Sequence, residues 1–209
     1  MKDNAHPPIK FIAHRINTQA ELLNVPREYG VELDLRDRGE KIILVHDPFK
    51  DGEDFESYLM NYHHGLMILN VKSERLEPRI LELMKQYKIK DYFFLDSTFP
   101  MLVTLAKQGI DNLAIRFSEY EGLDTIEKMQ GLAKFVWVDC FTHWPLTPEN
   151  YQAIKNWGYQ IVLVSPELQG RPSDLAEYAR KLQAHQLWPD YICSKLPQIA
   201  EWKKLLWNK

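Results

Sequence analysis

At 209 residues, with 45% hydrophobic and 26% charged side chains, the chain carries enough apolar material for a full core and lacks the depletion that marks disorder. One domain over residues 1–209 is the expectation. The net charge of −3 comes without a long Lys/Arg run, which excludes a nucleic-acid footprint. No stretch approaches the ~18 apolar residues of a membrane span. The opening "MKDNAHPPIK" lacks the apolar core of a signal peptide, so a cytoplasmic protein is expected. Cys140 and Cys193 are too few and too isolated for a disulfide framework or a zinc site, and read as reduced, buried thiols.

In chain order, "IKFIAHR" reads as a first strand. Thr18 with Glu21 then fits a capping box that opens a helical turn. "VELDLR" is the second strand, and "KIILVHD" follows it after only a few residues. "GLMILNVK" precedes a helical pattern in "LEPRILELMKQYK". "YFFLDS" precedes "PMLVTLAKQG", with Gly109 placed to end the helix. "NLAIRFS" leads to "DTIEKMQGLAK", and "FVWVDCF" leads to "TPENYQAIKNWG". In that helix Thr147 fits an N-cap, Pro148 the first helical position and Gly158 the stop. "QIVLVSP" with "PSDLAEYARKLQAHQ", and "YICSK" with "LPQIAEWKKLLWNK", complete eight strand–helix units. Nearly apolar strands alternating with helices predict a parallel sheet covered by helices. Eight units predict an α/β (β/α)8 TIM barrel with a β-hairpin after strand 2; a doubly wound open sheet is the alternative.

The spacing between "VELDLRD" and "KIILVHD" is too short for a parallel crossover, so the two predict an antiparallel hairpin turning near Gly39. Pairing about residue 40 sets Asp34 opposite His46 and delivers that histidine to the level of the carboxylate. The acidic "DPFKDGEDFE" after it fails the EF-hand pattern and reads as a solvated loop.

A polar residue stands near the C-terminal end of each predicted strand: His14, Asp34, Lys72, Asp96, Arg116, Asp139, Ser165 and Lys195. Barrel enzymes keep their chemistry at that end. Alternation places Glu32, Asp34 and Arg36 on one face and Val31, Leu33 and Leu35 on the other. One such strand alone would read as a solvated edge; the repetition in eight strands argues for a shared polar mouth. Two carboxylates two apart offer hard oxygen ligands for Mg²⁺ or Ca²⁺. His14 and His46 offer a general acid and base, and Arg15 and Lys72 offer charge for an oxyanion, most naturally a phosphate. Arg116, Glu119, Trp144, Glu167 and Lys195 belong to the mouth of later strands and read either as residues that shape substrate choice or as residues that stabilise their loops. His6, His63, His64, His143 and His185 read as packing or surface residues.

Taken together, "IAHR", "VELDLRDRGEKIILVHD" and "LMILNVK" resemble the glycerophosphodiester phosphodiesterase family, whose pattern runs H-R, E-x-D, a Gly-containing turn, H-D and later E-x-K. The sphingomyelinase D and phospholipase C-like barrels are similar. The resemblance implies a metal-dependent phosphodiesterase in which Glu32 and Asp34 bind the metal, His14 and His46 do acid–base work, and Arg15 and Lys72 contact the phosphate. It also implies that a substrate hydroxyl often attacks first to give a cyclic phosphate. The family's third acidic ligand is here Asn70, a neutral oxygen donor, and the glycine after H-R is Ile16. The segment after His46 is shorter than in many members, which implies a small or differently shaped substrate. The alternative is a catalytically weakened barrel that binds a phosphorylated ligand or partner without hydrolysis. Sequence leaves the oligomeric state open.

Overall fold

The structure, a computed structural model, describes residues 8–207; His6 and the last two residues of the closing helical segment lie outside that range. The described chain forms two compact units. One comprises Ile12–Ala114 with Leu132–Lys134, and the other comprises residues 8–11, Ile115–Gly131 and residues 135–207.

The amino-terminal unit contains β1 (Lys10–Ala13, its last two residues), α1 (Gln19–Leu22), β2 (Gly30–Arg38), β3 (Lys41–Leu44), β4 (Glu53–Asp54), α2 (Phe55–Leu59), β5 (Met67–Val71), α3 (Glu77–Gln86), β6 (Tyr92–Leu95) and α4 (Phe99–Lys107). β2 organises it. One edge of β2 is divided between two partners: Ile12 and Ala13 of β1 lie parallel to Gly30 and Val31, and β3 lies antiparallel to Leu35–Arg38. The other edge runs parallel to β5 from Val31 to Leu35, and β5 continues parallel to β6. A nine-residue strand beside a four-residue one necessarily overhangs, and the hairpin fills the overhang. Val31, Leu33, Leu35, Leu69, Phe93 and Phe94 are fully buried.

Local signals in the sequence are realised where their chemistry is short-ranged. The Thr18 hydroxyl accepts from Glu21 N at 3.1 Å, and the Glu21 carboxylate accepts from Thr18 N at 3.0 Å, which completes the capping box. α3 carries Pro78 near its start and buries Ile80, Leu83 and Met84, the i, i+3, i+4 stripe of a helix on a sheet. Gly109, past the end of α4, has φ +80°, the left-handed conformation that glycine adopts without a Cβ penalty.

The hairpin forms, but its register corrects the expectation. β2 and β3 pair Leu35 with Leu44 and Arg38 with Lys41. The turn is therefore a two-residue Gly39–Glu40 loop and is not centred on residue 40. Gly39 takes φ +63°, as the first central position of a tight hairpin turn requires. Val45, whose amide donates to Asp34 O at 3.0 Å, takes the place expected for His46. A one-residue shift changes which face each side chain occupies, so His46 does not stand opposite Asp34.

The segment read as a solvated loop also divides. Residues 47–52 are exposed. Glu53 and Asp54 instead pair with β3, and Asp54 caps α2 by accepting from Ser57 N at 2.9 Å. Phe55, Tyr58, Leu59 and Tyr62 are buried at helical spacing, a signal that the preceding acidic run masked.

Gly30 carries a specific steric requirement. An ideal Cβ there would lie 2.4 Å from the Leu66 carbonyl oxygen, which accepts from Val31 N. Because the obstacle is backbone, Gly30→Ala is expected to destabilise by about 1–3 kcal/mol. At ~2–4 °C per kcal/mol for a chain of this size, calorimetry resolves the change; an unaltered melting temperature would mean that β2 and the 65–66 segment separate at no cost.

The carboxy-terminal unit contains β7 (Ala114–Phe117, from Ile115), α5 (Leu123–Lys128), β8 (Phe135–Val138), α6 (Pro148–Asn156), β9 (Gln160–Val164), α7 (Leu175–His185), β10 (Tyr191–Ser194) and α8 (Leu196–Trp207). β8, β9 and β10 are parallel neighbours. Thr147 caps α6 by accepting from Asn150 N at 3.2 Å, with Pro148 at the first helical position and Gly158 at φ +86° beyond the end. Trp202 of α8 is fully buried and donates from Nε1 to Ser165 Oγ at 2.7 Å. Cys140 and Cys193 are both buried. Among the described residues no helix is long and apolar enough to cross a membrane.

Candidate active site

The site is built where the parallel ladders joining β1, β2 and β5 end. Glu32 and Asp34 are each 1% exposed, so this stretch of β2 is no solvated edge; from Gly30 to Leu35 both of its faces are buried. Parallel register sets Asp34 beside Asn70, and Lys72 follows on the same face of the extension of β5. Burial of two like charges this close requires compensation, and each carboxylate receives it from a different segment.

Glu32 accepts from Arg15 N at 2.8 Å and from Asn70 Nδ2 at 2.8 Å, and His14 Nε2 lies 3.7 Å from its Oε2. The Arg15 amide turns toward Glu32 where Arg15 adopts φ +56°, two residues past β1. The position that carries glycine in the resembling family, Ile16, is not in the left-handed region; it is buried and its carbonyl accepts from Tyr58 OH at 3.0 Å. Asp34 is held by Asn17, whose Nδ2 donates to Asp34 Oδ2 at 2.9 Å and whose Oδ1 accepts from Asp34 N at 2.8 Å. Arg15 Nε stands 3.6 Å from Asp34 Oδ2 and Lys72 Nζ stands 3.7 Å from Oδ1. Lys72 also donates to Asp96 Oδ2 at 3.2 Å, so Asp96 meets the lysine. Sequence reasoning missed Asn17; its only signal is an amide three residues past His14 in a turn that must return to β2.

Burial, and next the charge of Asp34, push the Glu32 carboxyl from 4.5 up to about 7, against the bonds from Asn70 and Arg15 N and the charge of Lys72. Two buried oxygens, Asp34 Oδ1 and Asn70 Oδ1, have no hydrogen-bond partner among the described residues. Unmet oxygen acceptors on Asp34 and Asn70 beside the Glu32 carboxyl fit a hard divalent cation. Among the described residues no group of three or more His, Cys, Asp or Glu side chains is placed to hold a metal. The fit therefore rests on two carboxylates and one amide oxygen, with Lys72 as a neighbouring competitor.

His46 lies past the end of β3. Its ring is 40% exposed and its Nδ1 meets Asp47 Oδ1 at 2.8 Å, a bond that holds the Asp47 carboxyl below its ordinary range. Its backbone carbonyl accepts from Arg36 Nε at 3.0 Å and Nη2 at 2.8 Å. Side-chain contacts thus join His14, Arg15, Glu32, Asp34, Asn70 and Lys72, whereas His46 is tied in through its backbone.

In the carboxy-terminal unit, Arg116 Nη1 donates to Asp139 Oδ2 at 2.7 Å. Glu167 is 5% exposed and accepts from Ser194 Oγ at 2.6 Å, from Lys195 N at 3.1 Å and from Ser165 Oγ. It fastens strand ends with both oxygens. The Lys195 side chain is exposed. Glu119 accepts from the amides of Phe141, Thr142 and His143, and Trp144 packs edge-on against Tyr178 at 4.8 Å.

Parallel strands alternating with helices, with a polar cluster just past β1 and within β2 and β5 where their parallel ladder ends, define an α/β protein. Its fold is similar to that of solved glycerophosphodiester phosphodiesterases. The crystal structure of one from Agrobacterium tumefaciens str. C58 matches with a TM-score of 0.64 at 14% identity, covering 90% of this chain and 97% of that one. A glycerophosphoryl diester phosphodiesterase from Parabacteroides distasonis ATCC 8503 matches with a TM-score of 0.65 at 14% identity, covering 95% of this chain and 87% of that one. No family model matches the sequence, and no curated protein does.

Proposed function

We propose that the chain is a (β/α)8-barrel phosphodiesterase that hydrolyses a small phosphodiester, of the glycerophosphodiester type, with a divalent cation and two histidines. The observation that carries this reading is the buried Glu32–Asp34 pair with the free oxygens of Asp34 and Asn70, set beside Lys72 and Arg15. The fold likeness to phosphodiesterases supports it.

In this reading Glu32, Asp34 and Asn70 hold Mg²⁺ or Ca²⁺, which when bound supplies Lewis-acid polarisation of a phosphate oxygen. Arg15 and Lys72 bind the remaining phosphate oxygens and stabilise the charge that grows on them in the transition state. Of His14 and His46, one takes the proton from the attacking hydroxyl and the other returns a proton to the leaving alcohol. The attacking hydroxyl belongs to the substrate where one neighbours the phosphate, with a cyclic phosphate as first product, or to water. Glu167 positions the strand ends of its own unit.

Asn70 favours a second reading, a barrel that binds a phosphorylated ligand without hydrolysis, because it removes one charge from the donor set. Incubating purified protein with Mg²⁺, Ca²⁺ or Mn²⁺ and a panel of phosphodiesters, with phosphorus NMR of the products, separates the two. Cation-dependent cleavage of at least one diester is expected. Binding of phosphate esters with no turnover under any cation would overturn hydrolysis and leave the binding reading.

A further inference from the structure

Arg36 continues the alternation of Glu32 and Asp34 along β2, yet it contacts neither carboxylate. Its guanidinium reaches across the two edges of the strand. Nε and Nη2 donate to the carbonyl oxygen of His46 at 3.0 and 2.8 Å, and Nη1 donates to the carbonyl oxygen of Lys72 at 3.1 Å. We propose that Arg36 is the positioning residue of this site, setting His46 and Lys72 at a fixed separation on either side of β2. The inference rests on the phosphodiesterase reading above for its catalytic consequence, and on geometry alone for its structural one.

Both residues need such a device, because both stand where a ladder has stopped. The last β2–β3 pair is Leu35 with Leu44 and the last β2–β5 pair is Leu35 with Val71. One backbone bond extends each ladder, Val45 N to Asp34 O at 3.0 Å and Lys72 N to Leu35 O at 2.9 Å. Beyond Val45, His46 leads into an exposed segment, residues 47–52. The ring of His46 meets Asp47, whose own side chain is 68% exposed, so that pair does not anchor the histidine to the core. The bonds from Arg36 do. A guanidinium offers several N–H donors in one rigid plane and can serve two carbonyls on opposite sides at once, whereas an ammonium is a point donor on a flexible stem. Lysine at position 36 is therefore not an equivalent residue.

The experiment compares wild type, Arg36→Ala and Arg36→Lys in kinetics, in cation titration and in amide hydrogen exchange. Misplacement of a reacting group by ~1 Å costs up to about 100-fold in rate. The expected result is a kcat reduced about 10–100-fold in both variants with KM within about threefold, and a shifted histidine limb in the pH profile of kcat. Added guanidinium ion is expected to restore part of the activity of Arg36→Ala. Cation affinity is expected to stay within about twofold, because Arg36 touches none of Glu32, Asp34 and Asn70. Exchange is expected to quicken at residues 45–52 and 72–73 while the amides of Glu32–Leu35 keep their protection. Unchanged exchange at residues 45–52 overturns the proposal, as does an unchanged kcat in an active wild type. Loss of protection throughout β2 and β5 overturns it too, because Arg36 would then support the sheet at large. Should wild type cleave no diester, the phosphodiesterase reading fails by itself, and the exchange data still decide whether Arg36 fixes the two strand ends.

Discussion

His14→Ala is expected to lower turnover of a cleaved phosphodiester at least ~100-fold, the scale of a lost general acid or base, and His46→Ala is expected to do the same. The two variants differ in what else they disturb. His14 Nε2 lies 3.7 Å from Glu32 Oε2, so its removal also strips a neighbour from a buried carboxylate. His46 projects its ring toward Asp47 and is anchored by its carbonyl, which alanine retains. His46→Ala is thus the cleaner probe: stability and cation affinity are expected to be those of wild type, with the loss confined to kcat. Steady-state kinetics beside calorimetric melting measures both. If both variants kept near-normal turnover, the acid–base assignment would be wrong.

Cation binding is expected to depend on pH through Glu32. The carboxyl is raised from 4.5 to about 7 in the cation-free fold, first by burial and then by Asp34. The native state therefore holds a proton between those values that the unfolded state has released. By linkage, this group's contribution to stability is most favourable below about 4.5, declines as pH rises, and is fully lost above about 7. A divalent cation needs the ionised form and reverses that penalty. Binding of Mg²⁺ or Ca²⁺ at pH 6 is expected to release close to one proton, and affinity to fall by up to about tenfold per pH unit below 7. The rise in melting temperature on adding the ion is expected to be larger at pH 8 than at pH 5.5. Calorimetric titration in two buffers of different ionisation heat reads the proton directly. Equal affinity at pH 5.5 and 8 with no proton released would place the cation elsewhere.

Asn70→Asp extends the same argument. The change replaces the donor to Glu32 Oε1 with a third carboxylate. The cation-free protein is expected to melt lower and the cation to bind more tightly, since charge count is a lever on such sites. Unaltered affinity for both ions would put Asn70 outside the coordination shell. Activity need not follow affinity, because a more neutralised cation polarises phosphate less.

What was legible in the sequence shares one property: it depends on residues close together in the chain. Thr18 with Glu21, Thr147 before Pro148, and the apolar runs of all eight predicted strands are local chemistry, and each lies where expected. The grouping of Glu32 with Asp34 followed from the two-residue period of a strand, and that of Asn70 with Lys72 likewise. The helix at Phe55–Leu59 was also written locally, in the spacing of Phe55, Tyr58 and Leu59, but an acidic run beside it drew the reading to a loop.

Everything that depends on how separate segments meet came from the packed fold. Whether the hairpin turned on Glu40 or between Gly39 and Glu40 was a difference of one residue, yet it exchanged Val45 for His46 opposite Asp34, because side chains alternate at every step. Asn17 became the partner of Asp34, and Arg36 the link between His46 and Lys72, only once strands separated by up to 36 positions lay in register. The raised Glu32 carboxyl and the unmet oxygens of Asp34 and Asn70 come from burial, a property of the packed sheet and of no segment alone. Which polar groups the strands present is written in the chain; their distances and their charge come from packing, which buries Glu32 beside Asp34 and brings residues far apart along the chain into contact.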